Sequence, residues 1–171
     1  MCYSKESSLA FFIIGIITSF SLIQLGDNDF KNYNYTLGIF FIFISLVQLM
    51  EYFMWSDVNC NNNLNKIATS IGPLLIYLQP ILIFILSNVF ITNITNNSSL
   101  IIILNILYLT YVLYHYYNFM GENDLCTKVN EKGNLNWEWK ENFQYMFYFF
   151  MIILNIIYFF GIEIGGIILL I

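Results

Sequence analysis

The chain has 171 residues, of which 58% are hydrophobic, 19% aromatic and only 10% charged, with a net charge of −5 and a mean hydropathy of +0.68. A water-soluble domain carries roughly 25% charged residues, so this composition excludes a surface that faces water alone and points to lipid. All six basic residues are lysines and none forms a run, so the basic patch that a nucleic-acid partner needs is missing.

Five apolar segments have the roughly 17–25 residues that a membrane span requires. They cover 8–25, 36–55, 68–91, 100–119 and 142–160. The first follows "MCYSKESS", with Lys5 ahead of the apolar run. No small-x-small cleavage site comes after that run, so it reads as a retained transmembrane helix and not a signal peptide. The second carries Ser45, Gln48, Glu51/Tyr52 and Trp55 at helical spacing, which places them on one face. The third contains Ser70, Pro73, Tyr77, Gln79 and Pro80. Its prolines can kink or break a helix and free backbone carbonyls beside a cavity; the bland alternative is a packing kink.

The fourth segment repeats the striped pattern with Tyr108, Tyr111, His115 and Asn118. The long connection 121–141 is expected to turn at the surface around Gly133, with Trp137 and Trp139 at the interface, where indoles sit well. The fifth segment offers Tyr148 and Asn155. An apolar tail, 161–171, either extends that helix or breaks at Gly161, Gly165 and Gly166 to begin a partial sixth span; it suggests a longer natural chain. The expected fold is therefore all-α: one polytopic transmembrane bundle over 1–171, with five full spans and a tail that is either an extension of the fifth or part of a sixth.

Alternating the loops across a bilayer puts Lys5, Lys66, Lys128, Lys132 and Lys140 on one side and Lys31 alone on the other. The positive-inside bias assigns the lysine-rich side, and the N-terminus, to the cytoplasm. Glycosylation sequons at Asn34, Asn93, Asn96 and Asn97 all fall on the opposite side. Cys2, Cys60 and Cys126 then lie in a reducing compartment, where structural disulfides are not expected.

Glu51 is the outstanding residue. A carboxylate inside an apolar span costs a few kcal/mol unless paired, protonated or wetted, and such a group is a functional candidate by default. The assumed topology sets the only histidine, His115, at a similar depth. Three readings stand. Glu51 locks the bundle through His115 or neighbouring Tyr and Gln side chains. Glu51 and His115 form an acid–base pair, since each can draw the other's pKa towards neutrality. Cys2, Cys60, Cys126 and His115 bind zinc, a chemically apt set whose spacing is wholly nonlocal. The Tyr, Ser and Asn positions read first as interhelical hydrogen bonds of about 0.6 kcal/mol each.

The opening "MCYSKESS" and the later "VQLMEYFMW" resemble an uncharacterised family of multi-pass membrane proteins from bacteria, some eukaryotes and large DNA viruses. Its members begin Met-Cys-aromatic-Ser and carry Gln-x-x-Glu-x-x-x-Trp on the second helix. The matching positions are Cys2, Tyr3, Ser4, Ser8, Gln48, Glu51 and Trp55. The stretch "MGENDLCTKVNEKGNLNWEW" is similar to viral members. The resemblance implies a helical membrane fold and a joint role for the N-terminus and the second helix, and it supplies no activity.

Together these features predict a polar pocket formed by Glu51, Gln48, Trp55, His115, Tyr111, Cys2 and Ser4. It would bind or move a small polar or lipid-derived molecule from the cytoplasmic side. The rivals are an intramembrane enzyme using Glu51 and His115, and a structural membrane protein with no small-molecule site. Asp57 is expected just outside the membrane, in headgroup water.

Overall fold

The computed structural model describes residues 4–91, 98–121, 125–137 and 145–160. Six α-helices account for most of them: α1 (Lys5–Leu25), α2 (Lys31–Ser56), α3 (Leu64–Tyr77), α4 (Gln79–Phe90), α5 (Ser98–Met120) and α6 (Tyr145–Phe159). A two-stranded antiparallel hairpin, β1 (Lys128–Val129) and β2 (Leu135–Asn136), follows α5. Its turn passes through Gly133 at φ 76°, a left-handed conformation that glycine adopts without a Cβ penalty.

The start of α1 is set locally. Ser4 caps α1: its Oγ accepts from the Ser7 amide at 3.2 Å, and the Ser7 hydroxyl oxygen accepts from the Ser4 amide at 3.2 Å. This reciprocal pair satisfies two donors that the first turn otherwise leaves open. α1 and α2 are joined by a single 3-10 turn, Asn28–Phe30, in which Asp27 accepts from the Asp29 amide at 3.0 Å. Asn34 Nδ2 closes the turn onto the Asp27 carbonyl at 2.8 Å.

So short a turn makes α1 and α2 antiparallel, and small residues let them approach closely. A methyl group added at Gly15 would collide with Ser45 Oγ, and one at Gly38 would collide with Ile23. The buried serines on this seam satisfy themselves within their own helices. Ser8 donates to Ser4 O at 3.2 Å, Ser19 to Gly15 O at 2.6 Å and Ser45 to Phe41 O at 2.8 Å. At the end of the pair, Lys5 Nζ lies 5.0 Å from the centre of the Tyr52 ring.

The third apolar segment is not one straight helix. It breaks at Leu78, directly before Gln79-Pro80, and α3 and α4 meet at a bend of 53°. Proline has no N–H to continue the ladder and its ring crowds the preceding turn. The carbonyls around the break are taken by side chains from other helices. Tyr108 donates to Tyr77 O at 2.9 Å, and Asn155 Nδ2 to Pro80 O at 2.9 Å. Asn155 also exchanges two hydrogen bonds with Asn105, at 3.0 and 2.9 Å. Tyr148 donates to Gln79 Oε1 at 2.7 Å and Tyr158 to Asn88 Oδ1 at 3.0 Å. This ladder joins α6 to α4 in parallel and to α5 in antiparallel sense.

Five full spans are therefore not what the structure supports. Among the described residues, three helices are long and apolar enough to cross a membrane, and four if the bent α3–α4 pair is one span. α6 has 15 residues, about 22 Å at 1.5 Å per residue, short of a core of about 30 Å. The apolar tail 161–171, with the partial sixth span, and the start of the fifth expected span lie outside the described residues.

The largest correction concerns the cysteines. Cys60, in the α2–α3 connection, and Cys126, after α5, form a disulfide with Cα atoms 6.1 Å apart. Sequence spacing had set these residues 66 positions apart with nothing to pair them; the fold brings their loops into contact. The expectation that no structural disulfide forms is overturned.

Candidate functional site

The polar residues at this end of the bundle fall into two groups with different chemistry. The first surrounds the disulfide and is here termed the clasp. Asp57 follows the last turn of α2, and its side chain turns back over the start of α3. Its carboxylate accepts from the amides of Asn61 at 2.8 Å, Asn62 at 3.2 Å and Asn65 at 3.4 Å. A carboxylate at a helix N-terminus meets the open amides and the positive end of the helix dipole. Far from lying in headgroup water, Asp57 is only 6% exposed.

Asn65 is the centre of the clasp. Its Nδ2 donates to Met54 O at 3.1 Å and to Thr127 O at 2.9 Å, and its Oδ1 accepts from Thr127 N at 2.9 Å and Thr69 Oγ1 at 3.0 Å. All four hydrogen-bonding positions of the amide are used. Thr69 and Thr127 hydroxyls lie 2.7 Å apart. Sequence reasoning missed Asn65, Thr69 and Thr127, because their partners lie about sixty residues away and no local pattern marks them.

The second group surrounds Glu51. Its carboxylate-bearing side chain is 1% exposed and sits on α2 six residues before Asp57, about 9 Å along the helix axis. Helical spacing sets Glu51 on one face with Val47 and Met54, also buried, and Met54 packs with Ala68 of α3. Ser45, expected on that same stripe, instead faces Gly15 of α1. Met54 belongs to a cluster with Ala68, Tyr77, Tyr108 and Val112, and both Trp55 and Tyr111 pack against it. The His115 ring lies 4.4 Å, centre to centre, from that of Tyr111 and 5.3 Å from that of Tyr114.

The structure thus brings Trp55 and Tyr111 to one cluster and carries His115 in beside Tyr111. Gln48 is half-buried one turn before Glu51. Among the described residues, the buried indole Nε1 of Trp55 has no acceptor. A buried donor left in this state costs about 1–3 kcal/mol, so such groups ask for an explanation. Ser4 is accounted for as the cap of α1. Cys2 lies outside the described residues, as do Asn93, Asn96, Asn97 and Trp139. A zinc site on Cys2, Cys60, Cys126 and His115 is incompatible with the disulfide, since a ligating sulfur must be a thiolate.

Long apolar helices, interhelical polar contacts at a broken helix and a covalently closed loop end define a helical protein suited to spanning a membrane. The chain belongs to a family of unknown function, DUF5765, whose model matches residues 6–128. That match takes in α1 to α5, Glu51 and both halves of the clasp. No curated protein and no solved structure matches the chain.

Proposed function

We propose that the protein is an integral membrane protein that binds a small polar or lipid-derived molecule at the α2 end of the bundle, with Glu51 as its ionisable group. Gln48, Trp55, Tyr111 and His115 complete the site. The observation that supports this reading is the buried Trp55 Nε1, without an acceptor among the described residues, one helical turn beyond a buried carboxylate. A ligand bearing an acceptor oxygen would satisfy that donor, and the apolar surroundings would raise the worth of each polar contact. An acid–base enzyme would use the same Glu51 and His115 and would reveal itself by altering the ligand.

Native mass spectrometry of the purified chain tests the proposal. The intact protein is expected to carry a bound small molecule or lipid. Trp55→Phe removes the donor and keeps the ring; loss of one such hydrogen bond, about 1.4 kcal/mol, corresponds to tenfold weaker retention. Equal retention in Trp55→Phe and Glu51→Gln, with unchanged helix content, would sink the site.

One observation favours a second reading, a structural membrane protein without a small-molecule site. Glu51 is enclosed, and the polar cleft of about 380 Å³ among Gln24, Asn28, Lys31 and Asn34 opens at the far end of the bundle. A chain that carries nothing in the same experiment supports this second reading.

A further inference from the structure

We infer that the clasp end of the protein, carrying the start of α1, Cys60 and Cys126, faces an oxidising compartment, and that the Cys60–Cys126 bond is a lasting covalent modification made there. This inference stands apart from what Glu51 binds; it decides which side of the membrane that site faces.

Three observations carry it. The two sulfurs are bonded, with Cα atoms 6.1 Å apart, inside the range a disulfide bridges without moving the backbone. The loops are also held together by bonds that do not involve sulfur, through Asn65 to both backbone groups of Thr127 and through the Thr69–Thr127 contact. The residue beside Cys126 is therefore fixed before any oxidation, and the thiols are presented to one another. Finally, Cys126 is buried, which shields the finished bond from attacking thiolates.

Formation is a two-electron exchange. Two thiols give up two protons and two electrons to an incoming disulfide, that of a thiol oxidoreductase or of oxidised glutathione, which leaves as two thiols. Cytosolic thiol pools drive this exchange backwards, whereas the exterior, the periplasm and the secretory lumen drive it forwards. The lysine count, five against one, argues for the opposite orientation. That rule is a statistical bias in insertion, and three of its five lysines belong to the single connection 121–141. A disulfide is present or absent. With the clasp outside, the α1–α2 turn and its Asn34 sequon lie in the cytosol and receive no glycan.

The test uses the whole chain expressed in a eukaryotic cell. Free thiols are blocked in acid denaturant before lysis can oxidise them, the sample is reduced, and newly exposed thiols are mass-tagged. Cys60 and Cys126 are expected to take the tag only after reduction. In parallel, Lys132→Asn with Asn134→Thr introduces a sequon at the exposed hairpin turn, which is expected to gain a glycan while Asn34 stays bare. Blocking of Cys60 and Cys126 before reduction, or a glycan on Asn34, would overturn the inference. The thiol assay needs no altered residue, so it holds even where the sequon variant fails to fold.

Discussion

The α1–α2 pair and the clasp both bury small polar side chains, and the resemblance ends there. In α1–α2 each serine donates to a carbonyl four residues back in its own helix, so it presents little more than its volume to the neighbour. The seam is decided by shape: Gly15 leaves room for Ser45, and Gly38 for Ile23. In the clasp no residue is satisfied alone. Asn65 binds groups from α2 and from the chain after α5, and Asp57 holds two amides of the loop that follows it and one of α3. Shape can relax by tenths of an ångström, whereas a buried amide that loses its partner has no substitute in an apolar setting. Damage to the clasp should therefore be the more severe.

Removing the disulfide should have the largest effect. Cys60→Ala with Cys126→Ala frees a loop closed over 66 positions, and chain entropy sets the loss near 4 kcal/mol. Thermal unfolding in detergent should show this drop, and a reductant should lower the parent chain to the same level without affecting the variant. If the reductant leaves the parent unchanged, the bond contributes nothing. Asn65→Ala comes next. It strands the amide and carbonyl of Thr127 in a buried site, and two such groups at about 1–3 kcal/mol each give an expected loss of roughly 3 kcal/mol. Faster proteolysis between α5 and the hairpin would report the opened loop.

Gly15→Ala is the mildest and most diagnostic. The new methyl meets Ser45, and overpacking costs about 1–3 kcal/mol. Ser45→Gly should restore most of that loss, because it empties the space that the methyl needs. A double-mutant cycle measures the coupling directly, and additive effects would show that the seam is not set by this contact.

The helical membrane character was legible because it needs only composition and run length. The end of the first segment's polar lead was legible too: Ser4 opens α1, as a serine three residues before a second polar residue often does. Gly15 and Ser19, four apart in an apolar run, carried a readable signal for the α1–α2 seam. Pro80 marked the break in the third segment, although the sequence did not show that Tyr108 and Asn155 would cover the exposed carbonyls. Glu51 stood out as the one carboxylate inside an apolar run, and it is buried on α2, a helix of 26 residues. Asp57 was misplaced, because headgroup water and a capped helix start are equally compatible with an acidic residue at a segment boundary.

By itself, then, the sequence determined that the chain is helical and apolar and which run carries a carboxylate, because hydropathy and helical spacing act within a few residues. Only the tertiary structure decided that Cys60 meets Cys126, that Asn65 reads both backbone groups of Thr127, and that Tyr111 packs in the cluster of Met54 and Trp55. Those contacts join parts of the chain about sixty residues apart, and their energy exists only once the helices between them have packed.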